Sequence, residues 1–520
     1  MKHRYLILLL FIFFQAELQA QWINVRESGA DDSGQVKCTD MIRHLIDSLA
    51  EKGGGTLYFP SGTFLTGPII MRTNITLYLD AGAVIRFSDD FDDYLPMVPT
   101  RWEEVRVKNF LSPIYAYRSR NMSIRGDGHF EGQGQRWWDA WFSVRRGEMT
   151  GSKWQEYFIN ENEELLKKNE HLQRTGYFLR PPLLTMYECQ DILIEGVSFS
   201  NPPFWTLMPA FCDNVTITGI TIENPGESPN TDGIDISSCR NVHISNCHIS
   251  VGDDCIVIKS GRDEDGREAD RPTENVTITN CTMLKGHGGV VIGSEMSGDV
   301  RRVAISNCTF EGTDRGIRLK TMRGRGGVIE DVRVSNVVMY NIVDDGITIN
   351  LRYQPADPEP FSERTPVVRN IHISDMIIRN AGRAITIYGL EESVVSQVSF
   401  RDMEISAGKG ILIEHSSGIS FNDVRMNITE GSLVDCHHSS ELSFDKLSTG
   451  TLKSNIPFYT FTDCSMVRVS NNYFPGELNR FIEADEKCGT IYLVNNILPN
   501  ARLLSTSKKE TVIIGSNEPE

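Results

Sequence analysis

The chain has 520 residues, with 52 Lys+Arg against 69 Asp+Glu for a net charge of −17, and is 40% hydrophobic and 23% charged. That apolar share supports a large core and excludes a disordered chain. An acidic chain without a Lys/Arg-rich run is a poor match for nucleic acid or anionic lipid, so neither partner is expected.

In chain order, Lys2, His3 and Arg4 precede an apolar run from Tyr5 to Phe14, then polar residues and Ala20. This is the layout of a secretory signal over residues 1–20, since about ten apolar residues are too few to span a bilayer. The cleavage site is imperfect, with Leu18 three before Gln21. An exported protein is expected, periplasmic or secreted, with no membrane insertion once the signal is removed. Residues 21–520 are read as one domain. The oligomeric state is not set by the sequence.

Residues 40–52 carry apolar side chains at helical spacing and stop at Gly53-Gly54-Gly55, which predicts a helix capping one end of a repeat protein. A tetrapeptide then recurs: Asn74-Ile75-Thr76-Leu77, Asn121-Met122-Ser123-Ile124, Asp191-Ile192-Leu193-Ile194, Asn214-Val215-Thr216-Ile217 and Asn241-Val242-His243-Ile244. It continues at Asn275, Asp331 and Asn370, with weaker copies through Gln397, Glu441 and Gly489. Short alternating strands at a repeating period, with Asn at the same corner, describe an all-β, right-handed parallel β-helix. Residues 135–180 break the repeat with Trp137, Trp138, Trp141 and a charged helical stretch. This insert is read as an excursion from one coil, either over a binding groove or merely on the surface. Eleven cysteines are odd in number and contain no CxxC. Several keep fixed offsets from the repeat, as Cys189, Cys212 and Cys239 do, which favours stacked buried thiols over disulfides or zinc.

A second strand in each coil aligns without gaps over the catalytic stretch, about 201–353. The segments begin Gly233-Ile234, Cys255-Ile256, Gly289-Val290, Gly316-Ile317 and Gly346-Ile347. Alternate Ile/Val/Leu positions form an inward column, so the residues between them face outward. Neighbouring coils lie about 4.8 Å apart, which makes same-column residues spatial neighbours. Asp232 and Asp254 then share one column, and Asp253 and His287 the column before it. Arg318 and Lys320 face outward on a following coil, with Lys259 in the column of Lys320. Crowded carboxyls raise one another's pKa, and a protonated acid beside ionised carboxylates is what glycosidic cleavage needs. The cations suit an anionic substrate, since a charge-assisted contact is worth roughly 1.5–3 kcal/mol while the protein's distant charges are screened beyond about 8 Å.

Asn230-Thr231-Asp232-Gly233, Gly252-Asp253-Asp254-Cys255, Gly286-His287-Gly288 and Arg318-Leu319-Lys320, in that order, resemble the four motifs of glycoside hydrolase family 28, the polygalacturonase family. Gly53–Pro60 and Pro203-Phe204-Trp205-Thr206 extend the resemblance, which covers roughly residues 22–400. It implies an inverting hydrolase of pectic polysaccharide or oligogalacturonide that uses no metal or other cofactor. Asp253 would be the general acid, Asp232 and Asp254 would hold and deprotonate the water, and His287 would keep the acid protonated and oriented. Arg318 and Lys320 would bind the galacturonate carboxylate, with Asn230, Lys259 and Tyr353 as further substrate-binding candidates; for Tyr353 a plain surface tyrosine reads equally well. The columns alone do not separate inversion from retention. Met208-Pro209 stands where many relatives carry His-Pro, a change that bears on a sugar subsite. Lys259-Ser260-Gly261, the insert and Arg101-Trp102-Glu103 look more like the exo-acting bacterial branch. Three alternatives stay open: cleavage of the galacturonate–rhamnose bond of rhamnogalacturonan, a calcium-assisted pectate lyase, and a non-catalytic carbohydrate-binding β-helix.

Overall fold

The computed structural model describes residues 21–450, 455–474, 476–498, 504–506 and 512–514; the expected signal, 1–20, lies outside the described residues. Short strands stack coil on coil with parallel pairing throughout the long sheet, as a right-handed parallel β-helix. The sheet that matters for function runs through Leu184–Tyr187, Leu207–Ala210, Ile234–Ser237, Asp254–Lys259, Gly288–Gly293, Ile317–Lys320 and Asp345–Asn350. Its register pairs Ile234 with Ile256, Ile256 with Val290, Val290 with Ile317, and Ile317 with Ile347. This is the gapless alignment expected from the sequence, and these five side chains are buried in the main core.

The Asn corner has a backbone cause. Asn214, Asn241 and Asn275 sit at φ near +58°, +56° and +58°, the left-handed region that Asn and Asp tolerate better than other side-chain-bearing residues. Their amides also form a ladder between coils: Asn241 donates to Asn214 at 3.1 Å and Asn275 to Asn241 at 2.9 Å. All eleven cysteines are free and buried, and the Cys212 N–H points at Cys239 Sγ at 3.3 Å. In the C-terminal coils, Phe400, Phe421 and Phe444 stack at 4.6 and 5.6 Å.

The cap helix spans Thr39–Glu51, buries Ile42, Ile46 and Leu49, and lies on the strands Gly55–Phe59 and Ile69–Ile70. The insert folds into helices Gln135–Arg145, Lys153–Glu161, Glu163–Leu166 and Glu170–Gln173. It shares a second apolar core with the antiparallel hairpin Val98–Trp102/Val105–Asn109, built around Trp137, Phe158, Phe178, Trp102, Phe204 and Trp205. No described helix is long and apolar enough to cross a membrane.

Candidate active site

Four successive coils bring the expected residues together, and two glycines make the approach possible. Gly286 has φ +100°, and a Cβ there would stand 2.5 Å from the Asp253 carbonyl. With no side chain in the way, the His287 N–H donates to the Asp253 carbonyl at 2.8 Å. The side chains follow, with His287 Nδ1 2.9 Å from Asp253 Oδ1. Gly293, at φ +95°, leaves room for the Lys320 backbone, whose carbonyl a Cβ would meet at 2.0 Å. Lys320 Nζ then donates to Asp254 Oδ2 at 2.7 Å, and Arg318 Nη1 stands 3.5 Å from Oδ1.

Asp253, Asp254 and Lys320 line a cleft of about 340 Å³ together with Asp232, Asn230, Trp205, Tyr353 and Gln354; His287 and Arg318 stand beside them, in contact with Asp253 and Asp254. One carboxylate oxygen from each of Asp232, Asp253 and Asp254 lies within 4.8 Å of the others. Burial, then the charges of Asp235 and Asp253, raises the Asp232 carboxyl well above the ordinary carboxylate range. For Asp253, burial is outweighed by the His287 hydrogen bond and charge, and its pKa is lowered. That same hydrogen bond raises the His287 imidazole. The rise expected for one of the crowded carboxyls therefore falls on Asp232, while Asp253 and His287 form an ion pair that holds a proton between them.

Lys259 occupies a different setting from the outward cation read from its column. It is 4% exposed, its ammonium lies 3.6 Å from the Trp205 ring centroid, and Asp235 Oδ1 is 2.9 Å away. That approach is close in charge but out of line for a hydrogen bond, since both Asp235 oxygens lack a donor. Asp232 and Glu295 stand 3.8 and 4.0 Å from the same ammonium. Burial carries the Asp235 carboxyl up to about 7, against the pull of Lys259. Asn230 points its amide toward Asp253 at 3.5 Å, and its own oxygen accepts from the buried Arg180 at 2.9 Å. Tyr353 stands beside the basic pair, 5.1 Å from Lys320 Nζ and 5.6 Å from the Arg318 guanidinium. Met208 is fully buried in the second core, away from the cleft lining.

The insert and the hairpin turn at Glu103, noted in the sequence without any assigned contact, line one side of the cleft. The insert contributes His171 and the hairpin Glu103, joined at 2.8 Å. Arg262 bridges Glu103 at 3.0 Å and Glu295 at 2.9 Å. Arg101 and Glu104 are fully buried and paired at 3.1 Å; Arg101 donates to Ser237 and Ser238, and Glu104 accepts from the Gly261 N–H at 2.7 Å. They pin the hairpin to the ends of the catalytic strands. Asp235 had a signal in the sequence, standing between Ile234 and Ile236 in the outward column. The hairpin and insert carry no repeat, so no column assigns their individual side chains to the cleft.

The three aspartates are spaced to suit a divalent cation, but the donor set is already engaged. Asp254 faces Lys320 and Arg318, Asp253 faces His287, and Lys259 stands beside Asp232. A further dication would add its charge to that group of cations, so the site does not fit a calcium centre.

Sequence comparison agrees with this geometry. A model of the family Glycosyl hydrolases family 28 matches residues 99–417, and one described as Rhamnogalacturonase A/epimerase, pectate lyase-like matches residues 22–101. The chain is 30% identical over 393 residues to a probable polygalacturonase of Vitis vinifera, spanning 72% of each protein. It is 26% identical over 442 residues to the exo-poly-alpha-D-galacturonosidase of Dickeya chrysanthemi, spanning 79% of this chain and 72% of that one. The crystal structure of a hyperthermoactive exopolygalacturonase from Thermotoga maritima superposes with a TM-score of 0.70 at 34% identity, covering 78% of this chain and 91% of that chain. With the match running through more than half of the sequence and across every coil of the cleft, the chain belongs to glycosyl hydrolase family 28 and is a glycosidase acting on O-glycosyl bonds.

Proposed function

We propose that this glycosidase is exported and degrades pectin, releasing galacturonate from the ends of polygalacturonate by inverting acid–base hydrolysis. The observation that supports it best is the meeting of Asp232, Asp253, Asp254 and Lys320 in one cleft, with His287 bonded to Asp253 and with His171 and Glu103 in the lining on the insert side. In this reading the Asp253–His287 pair supplies one proton, delivered through Asp253 to the leaving oxygen. Asp232 and Asp254 flank the water; as its oxygen bonds to the anomeric carbon and the glycosidic bond breaks, its proton passes to the Asp254 carboxylate, and Asp232 holds it in place. Arg318 has five N–H groups, of which one approaches Asp254, so donors remain for the sugar carboxylate beside Lys320.

Carboxylate spacing under about 5 Å would by itself suit double displacement. The pairing argues the other way. Asp254 is 1% exposed and bound to Lys320, and Asp232 is buried with its carboxyl raised. Neither is a free nucleophile, whereas two such groups side by side suit the orientation of a water. A rhamnogalacturonan substrate is the second reading, favoured by the N-terminal family match over residues 22–101.

The test uses the mature chain with polygalacturonate in excess EDTA, following reducing ends, viscosity, ultraviolet absorbance and the anomeric form of the product by NMR, with Asp253→Asn alongside. Reducing ends that rise without absorbance, vanish in the variant and accompany slow viscosity loss are expected. An initial product with inverted configuration supports the water assignment. Absorbance from unsaturated ends, or an active Asp253→Asn, would refute the mechanism. Turnover of rhamnogalacturonan oligosaccharides alone would establish the second reading.

A further inference from the structure

Beyond the catalytic coils the same solenoid edge opens into a trough of about 860 Å³, lined among others by Asn341, Val343, Gly382, Ser406, Gly408 and Asn427. It is larger than the catalytic cleft, and within the size range of ligand sites. Its place in the coil matters. Following the register from Ile256 through Val290, Ile317 and Ile347 to Ile385 and Ile411, Gly382 and Gly408 hold the position that Asp253 and His287 hold upstream. The trough is thus the continuation of the edge that carries the proton-donating pair.

The next position along each coil carries Asp232 and Asp254 in the catalytic coils and Arg383 and Lys409 here, with Arg383 in register with Lys409. This position faces outward: Asp254 meets Lys320 on the outer face, and Asp345 accepts from Thr348 at 2.9 Å. Lys409 is exposed and Arg383 partly so. Among the described residues neither side chain has an ion-pair or hydrogen-bond partner; Asp345, one coil before Arg383, is engaged by Thr348, and Glu430, exposed, follows Lys409 in register one coil on. At about 4.8 Å per coil, the two cations lie roughly 19 and 24 Å from the Asp254 rung. The insert that bounds the cleft leaves the helix before Leu184, on the N-terminal side of the catalytic coils. A polymer whose end sits in that cleft therefore runs out along the C-terminal coils, over the trough.

We propose that the trough, with Arg383 and Lys409 at its margin, is a distal subsite that holds the acidic glycan several sugars away from the bond being cut. It recognises repeating carboxylates by the two cations, while the small side chains admit sugar rings close to the backbone and the Asn and Ser groups offer hydrogen bonds to hydroxyls. The site acts on long chains and is out of reach of short ones. This inference rests on the reading of the substrate as polygalacturonate and of the cleft as closed on the insert side.

The test compares trigalacturonate with polygalacturonate for the wild type, the double variant Arg383→Gln/Lys409→Gln and the charge reversal Lys409→Glu. Two exposed ion pairs predict a rise in KM for the polymer of about twofold to thirtyfold in the double variant, with kcat unchanged. The polymer's KM should also lose much of its salt dependence, and Lys409→Glu should raise it further at low salt. Kinetics on the trimer should stay within about twofold of wild type, which also reports an intact fold. Equal effects on both substrates, or no effect on the polymer, would overturn the subsite. A wild type inactive on both substrates would instead overturn the functional reading, and this inference with it.

Discussion

Replacing His287 with Ala removes the group that holds down Asp253, and the structure fixes both the size and the direction of the consequence. The Nδ1–Oδ1 contact of 2.9 Å lowers Asp253 against its burial and raises His287. A hydrogen bond to a charged group is worth roughly 1.5–3 kcal/mol. With the His287 side chain 52% exposed and Asp253 20% exposed, solvent screening brings this to about 1–2 kcal/mol, or about 5- to 30-fold in kcat/KM. The pH profile is the sharper readout. On the proposed mechanism the competent form carries one proton within the pair, and that proton is lost only as pH rises through the raised imidazole value, above the ordinary 6.5. Without the imidazole, Asp253 keeps its proton only as a carboxyl, pushed up by burial and down by Lys320 and Lys259. The alkaline limb of kcat/KM should therefore move to lower pH, while the acidic limb stays. The assay is kcat/KM for trigalacturonate across pH. An alkaline limb unmoved in His287→Ala would refute the shared-proton argument even if activity fell.

Other consequences follow from the packing. Lys320→Ala should leave Asp254 buried with only the 3.5 Å approach of Arg318, costing toward the lower end of roughly 3–5 kcal/mol; urea unfolding reads this, and a midpoint equal to wild type would contradict it. Phe421→Ala interrupts the Phe400–Phe421–Phe444 stack and should cost roughly 3–5 kcal/mol. In a solenoid that loss stays local, so the C-terminal coils should unfold at lower denaturant while kcat under native conditions remains near wild type; loss of both together would argue against local coupling. A thiol reagent should find no reactive cysteine in the native protein and eleven in the unfolded one, and fewer in the unfolded chain would reveal disulfides.

Much of this was legible because a solenoid repeats its grammar. Alternation in each strand fixes which side chains face outward, and the recurrence of Ile234, Ile256, Val290, Ile317 and Ile347 fixes the register between coils. From those two rules Asp232, Asp254, Asp253, His287, Arg318 and Lys320 fall together without any fold being known. The left-handed corner is visible for the same reason, since Asn214, Asn241 and Asn275 answer one backbone requirement. The rules fail where the outer face ceases to be a surface. Lys259 reads as an outward cation by its column, yet its ammonium is buried against the Trp205 ring, and its charge is met by Asp235, Asp232 and Glu295. Arg101 and Glu104 are both fully buried and paired, although nothing in their local sequence marks them as core. Covering comes from residues 98–180, which have no repeat and whose contacts span long separations in sequence.

The same covering decides where the protons sit, which composition and spacing cannot do. Three neighbouring aspartates must share the cost of ionising, but which of them yields depends on the nearest cation and on burial. Lys320 is committed to Asp254 at 2.7 Å and His287 to Asp253 at 2.9 Å. Lys259 lies nearer to Asp235 than to Asp232, at 2.9 against 3.8 Å. Asp232 is left the least compensated of the three and is the one whose carboxyl rises. A repeat can place three carboxyls on one edge; the unrepeated hairpin and insert, by drying that edge and leaving its cations to choose partners, make the three chemically different. That difference is what a hydrolase needs from groups of identical type.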